Sequence, residues 1–149
     1  ADRLYTYPFL VMSGHGNVRF TNREAERLRH YLENGGFLFI DDDYGLDEYI
    51  RPELAKVFPD QELAELPYDH PIYHHPYDFS GGPPKIHEHD GDAPQGFGLV
   101  HNGRVVVYYL HESNITDGWE PASVHDTPAD QRRTAREMGV NVLTYALTH

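Results

Sequence analysis

The sequence predicts an α/β fold: a mostly parallel sheet with an antiparallel hairpin near one edge. Three observations carry that prediction. Pro8-Phe-Leu-Val-Met-Ser13 and Phe37-Leu-Phe-Ile40 are short continuous apolar runs, the pattern of strands buried on both faces. Helical patterns follow each of them, as a parallel sheet requires of its crossovers. Asn102-Gly103, set between two further apolar runs, accepts the positive φ angles of a two-residue hairpin turn. At 149 residues the chain suits one domain, 1–149, large enough to bury roughly two thirds of its unfolded surface.

Each element has a local reason. Thr21-Asn-Arg-Glu24 is a capping box, in which hydroxyl and carboxylate satisfy free amides of a first helical turn. Ala25, Leu28, Tyr31 and Leu32 then recur at helical spacing, and Gly35-Gly36 ends the helix. The Phe37 strand runs into three consecutive acids, Asp41 to Asp43. Asp47 to Phe58 reads as a helix that Pro52 kinks or restarts, and Glu62 to Leu66 as a third strand. Phe97 to His101 and Arg104 to Leu110 form the hairpin. Thr127-Pro128 opens a last helix whose Ala135, Met138, Val142 and Ala146 share one face. The proline-rich stretch 67–94 is too long for a passive connection.

Composition narrows the chemistry. The formal charge is −12, from 24 acids against 12 Lys plus Arg, a field that repels phosphate backbones and attracts cations, so no nucleic-acid partner is expected. There is no cysteine, which removes disulfides and thiol catalysis. No apolar run reaches the roughly 20 residues of a membrane span. Gly14-His-Gly16 lacks the third glycine of a dinucleotide fingerprint and no phosphate-loop lysine follows, so no nucleotide is expected. Ser13 and Ser113 lack a nucleophile elbow.

Eleven histidines stand out, five of them in twenty residues: His70, His74, His75, His87 and His89. With no thiolate available, an imidazole and carboxylate site suits zinc, copper or iron. His87 and His89, two apart on an extended segment, point to one side and can share an ion, unless they form a solvated polar strand. His70 and His74 are four apart, though Pro71 and Pro76 oppose a full helix there; packing beneath the tyrosines is the alternative. His15 sits between glycines that let the backbone approach a ligand, or simply makes a tight turn. In an open α/β sheet, ligands gather beyond the carboxyl ends of the strands. His15, Asp41 to Asp43, Asp69-His70 and His111-Glu112 all follow strands, so the sequence predicts that they converge on one rim and that the 67–94 loop folds over it. Asp42 and Glu112 are the candidate catalytic residues, and His70, His74, His87, His89 and His15 the candidate metal ligands. Asn114-Ile-Thr116 also fits a glycosylation sequon.

Beyond these patterns, Pro8-Phe-Leu-Val-Met-Ser-Gly-His-Gly-Asn-Val-Arg-Phe20, Gly35-Gly-Phe-Leu-Phe-Ile-Asp-Asp-Asp-Tyr-Gly45, Asp69-His-Pro-Ile-Tyr-His74, Pro84-Lys-Ile-His-Glu-His-Asp-Gly91 and Met138-Gly-Val-Asn-Val-Leu-Thr-Tyr-Ala-Leu147 together resemble the bacterial domain-of-unknown-function family 4159. The likeness covers nearly the whole chain. It implies a flavodoxin-like, class I glutamine-amidotransferase-like three-layer sandwich and a periplasmic or extracytoplasmic location. A fainter similarity, through Asp69-His-Pro-Ile72 and Gly103-Arg-Val-Val-Val107, is to trehalose-utilisation proteins. The chain departs from the amidotransferase pattern in having no nucleophilic cysteine, which excludes that route to glutamine hydrolysis. The resemblance also implies an early strand and helix upstream of the Pro8 strand, so a sheet edge covered by a partner subunit, a second copy or a segment outside this sequence is expected. The leading expectation is a metal-binding domain that activates water for hydrolysis. A non-catalytic assembly module and a metal-free carbohydrate-active domain are the alternatives.

Overall fold

The computed structural model describes residues 6–14, 17–42, 45–86 and 93–149. Its centre is a five-stranded open sheet of β1 (Leu10–Gly14), β2 (Leu38–Asp42), β3 (Ala64–Glu65), β4 (Gln95–His101) and β5 (Arg104–His111), in the order β1-β2-β5-β4-β3. β1, β2 and β5 are mutually parallel, while β4 runs antiparallel to both β5 and β3. The expected antiparallel hairpin is present, and because β3 also pairs antiparallel the sheet is mixed where a mostly parallel one was expected.

Helices cover both faces. On one face α1 (Asn22–Glu33) and α2 (Asp47–Val57) bury Leu28, Leu32, Ile50 and Leu54 against Leu38, Ile40, Val107 and Tyr109. On the other, α5 (Ala129–Thr148) buries Ala135, Met138, Val142 and Tyr145 against Phe37, Phe39, Tyr108 and Leu110. Alternation along a strand divides the sheet residues between the two cores. Between β5 and α5 lie two short helices, α3 (Ile115–Gly118) and α4 (Ala122–His125), within a stretch that reads as loop in sequence. None of the described helices is long and apolar enough to cross a membrane.

Local chemistry acts mostly as expected. Both hydrogen bonds of the Thr21–Glu24 capping box form. The hairpin turns through Asn102 at φ 52° and Gly103 at φ 78°, the left-handed conformation that Asn and Gly tolerate best. Two expectations need correction. α2 runs through Pro52 without restarting, because only one amide bond is lost while its apolar face stays anchored. Pro128, not the Thr127 side chain, occupies the cap of α5, and no side-chain cap bond forms. Asn114 is buried, at 1% exposure, so the sequon is sterically closed in the folded chain.

Candidate metal centre

Parallel pairing sets Asp41 opposite Leu110, so the next residues, Asp42 and His111, end adjacent strands at one rim. The three-acid run is then divided by the pleat. Asp41 turns toward the α5 face, where its Oδ2 accepts from the Thr116 N–H at 2.9 Å and from the Thr116 hydroxyl at 2.6 Å. It thereby holds the start of α3. Asp42 turns toward α2, and Asp43 lies outside the described residues.

Asp42 is 2% exposed and held at both oxygens. Oδ1 accepts from the Leu46 N–H at 3.0 Å and Oδ2 faces His111 Nδ1 at 2.9 Å. A carboxylate in that position fixes the ring with its proton on Nδ1, leaving Nε2 as the donor atom for a ligand. Nε2 lies 3.5 Å from Glu112 Oε1, and Glu112 Oε2 lies 3.8 Å from Lys85 Nζ. Tyr109, two residues before His111 and on the same side of β5, donates its hydroxyl to Asp47 Oδ1 at 2.8 Å. Its own ionisation is pushed far up by burial and by Asp42 and Asp47 beside it, so it serves as a neutral donor. The hydrogen bond to Asp42 raises the His111 pKa above its ordinary 6.5 against the opposing effect of burial, with Asp47 and Glu112 adding to the rise.

One ligand atom each from Asp42, His111 and Glu112 lie within 4.8 Å of one another, a spacing suited to a metal ion. The backbone at this point is unusual: Glu112 and Asn114 both have positive φ, 66° and 59°. Left-handed backbone at a residue other than glycine costs on the order of 1 kcal/mol or more and tends to cluster at functional sites. The loop end reaches the same rim. Ile86 donates its N–H to Ser113 O at 2.8 Å, and the Ser113 hydroxyl donates to Pro84 O.

The structure brings Asp42 and Glu112 together as expected but places other candidates elsewhere. His70 packs its ring 5.3 Å from that of Tyr145, whose hydroxyl binds the Val105 N–H at the opposite end of β5. Its Nδ1 accepts from the Ile72 N–H, and burial lowers its pKa. The physical reason is the burial of Ile72 and Tyr73, which draws the chain after β3 back across the α5 face. His74 bonds Asp78 Oδ1 through Nδ1 and the Tyr68 carbonyl through Nε2, each at 2.8 Å. Both acceptors demand an N–H, so the ring is an imidazolium with no lone pair for a cation. His15, His87 and His89 lie outside the described residues. Sequence reasoning named His111 without ranking it and missed Asp47, Tyr109 and Lys85; the Tyr109–His111 alternation beside Asp42 was the available signal.

The His74–Asp78 pair sets a pH dependence. The Asp78 hydrogen bond, more than the Tyr68 carbonyl, raises His74 above 6.5, and the same bond lowers Asp78 below 3.8. A raised histidine contributes stability that is complete below 6.5 and is lost as pH rises through its folded pKa; a lowered carboxylate contributes stability lost as pH falls through its folded pKa. The pair is therefore expected to contribute fully between those two ordinary values and to fade on both sides. Ring-proton NMR titration checks this, and Asp78→Asn should return His74 toward 6.5.

Comparison with known proteins places the chain without supplying an activity. Among curated proteins, none matches it. The family model described as a domain of unknown function, DUF4159, matches residues 1–147, and the chain belongs to that family.

Proposed function

We propose that the rim formed by Asp42, His111 and Glu112 binds a divalent transition metal, zinc, copper or iron, and activates water for hydrolysis. The observation that carries this reading is the separation of His111 Nε2 and Glu112 Oε1. Two donors 3.5 Å apart subtend about 110° at an ion bound roughly 2.1 Å from each, close to the tetrahedral angle. Asp42 orients the ring from the second nitrogen, the arrangement that outer carboxylates commonly give metal-bound imidazoles. His15, His87 and His89 are further ligands that the sequence offers. Helices on both faces of the sheet support a flavodoxin-like layering, in which the carboxyl rim is the expected place for a ligand. An ion held by His111 and Glu112 would supply an acidified water whose proton passes to solvent, with Lys85 steadying the Glu112 carboxylate.

The test is titration of the apo protein with zinc. One ion per chain is expected, with an increase in stability of about 2.7 kcal/mol at a hundredfold excess over Kd. His111→Ala should abolish binding, and the His87→Ala/His89→Ala pair should weaken it if those rings complete the shell. Zinc-loaded protein should also cleave p-nitrophenyl acetate faster than zinc alone. No zinc uptake, or equal uptake by His111→Ala, would refute the metal reading. One observation favours a second reading: carboxylate oxygens of Asp42, Asp47 and Glu112 lie 2.9, 3.8 and 3.5 Å from the His111 ring nitrogens, which suits an imidazolium shared among them as a metal-free ion-pair hub. In that case zinc leaves the melting temperature unchanged and His111→Ala lowers it.

A further inference from the structure

On the side away from the hairpin the sheet ends in a bare strand. β1 stands last in the strand order and pairs with β2 alone. Leu10 donates its N–H to Phe37 O, and alternate residues turn their backbone groups to opposite sides, so Val11 and Ser13 turn theirs outward. The described residues offer them no further strand.

Apolar surface adjoins that edge. Val11 is 47% exposed, and α5 carries Val140, Leu143 and Leu147 in one row, 41% to 56% exposed. Trp119, also exposed, fills the flank between strand and helix: it lies against Gly139, and its ring is 6.0 Å from that of Phe39, the residue opposite Val11 in the β1–β2 register.

The rim of this surface is basic. The α5 row continues at a spacing of four as Arg136 and Arg132. On the other face of the sheet Tyr31 reaches the edge by donating its hydroxyl to Tyr7 O at 2.6 Å, and Arg27 and Arg23 precede it on the same row of α1. Among the described residues none of these four arginines has a carboxylate within ion-pair distance, whereas Arg133 on a neighbouring row has Glu137 at 4.0 Å. Glu24, three residues before Arg27, is engaged by the α1 capping box. Unneutralised cations around an apolar strip, in a chain of net charge −12, mark a surface complementary to an apolar and acidic partner. A second copy would bring the same arginines face to face.

We propose that β1 takes up an extended acidic segment of a partner protein as an added strand, with its apolar side chains toward α5 and its acidic ones toward Arg23 and Arg27. Backbone groups of Val11 and Ser13 would give the affinity, and the alternating pockets the specificity.

Fluorescence anisotropy with a labelled (Val-Glu)₄ peptide tests this. Saturable binding is expected, at least about tenfold tighter than for (Val-Lys)₄, because like charges at the rim oppose the latter. Ser13→Pro removes an outward N–H without touching the β1–β2 ladder, and Leu143→Glu and Arg27→Glu alter the two side-chain faces. Each should weaken the peptide at least about tenfold while shifting stability by less than about 0.5 kcal/mol, as exposed substitutions generally do. If Ser13→Pro unfolds the chain, the other two variants decide. Absent binding, equal binding of both peptides, or indifference to Leu143→Glu and Arg27→Glu overturns the proposal. So does a dimer that Leu143→Glu dissociates, which would make the occupant a second copy.

Discussion

Glu112→Gly is expected to abolish zinc binding while leaving the apo protein as stable as the parent or more so. The two effects have separate origins. Glu112 sits at φ 66°, where a Cβ is strained and glycine is not, so relief of the backbone contributes on the order of 1 kcal/mol. That corresponds to a rise of about 3 °C in melting temperature for a chain of this size. Removing the carboxylate eases its repulsion from Asp42 and Asp47 but loses its contacts with the His111 ring and Lys85, so the charge itself is expected to contribute little net stability. Binding loses a donor 3.5 Å from Nε2. Partners outside the coordination shell alone are worth about 10–100-fold in metal affinity, so a direct ligand should cost at least that. Glu112→Gln separates the contributions, since it keeps the strained backbone and removes the charge: binding should fall while stability stays put. Differential scanning calorimetry beside zinc titration reads both. A Glu112→Gly protein that melts lower than the parent by more than about 1 kcal/mol would show that Glu112 supports the fold instead of straining it.

That trade-off explains which parts of the molecule were legible in the sequence. Local rules recovered the strands, the Thr21–Glu24 cap, the Asn102-Gly103 turn and the buried face of α5, because each depends on neighbours a few residues apart. They also put Asp42 and His111 at one rim, since a parallel register carries β2 and β5 to a common end. The location of His70 was not legible. It depends on a long-range event, the burial of Ile72 and Tyr73 against α5, which outweighs the tendency of a residue following a strand to stay at that strand's end. His74 failed as a ligand for an equally nonlocal reason: the Tyr68 carbonyl and Asp78 consume both ring nitrogens. Spacing shows which imidazoles can share an ion, but not which have already donated both protons.

The other large expected effect falls on Gly96, in the middle of the contact that docks the long loop. Gly96→Ala should destabilise the protein by about 3–5 kcal/mol, roughly 10 °C or more in melting temperature, and weaken zinc binding as well. Tyr108 donates to the Tyr73 hydroxyl at 2.9 Å, and both rings are buried. Burial pushes the Tyr73 pKa up to about 12 and that of Tyr108 well above its ordinary value, so both hydroxyls stay neutral and must find hydrogen bonds inside the protein. A Cβ on Gly96 would collide with the Tyr73 hydroxyl and stand 2.6 Å from that of Tyr108. Neither ring can yield, because Tyr108 is stacked on Phe39 and Tyr73 is wedged edge-on against Tyr108. The tyrosine pair must therefore separate, leaving two polar groups without partners and freeing the segment around Pro71–Tyr73. That segment leads to Lys85 and Ile86, which contact Glu112 and Ser113, so loosening it reaches the metal rim. Gly81→Ala, where an added Cβ meets nothing within 4 Å, should change stability by less than about 0.5 kcal/mol. Tyr73→Phe combined with Gly96→Ala should cost less than the sum of the single changes, since removing one hydroxyl makes room for the methyl group. Strict additivity in that cycle would mean that the collision with Tyr73 is not what Gly96 avoids.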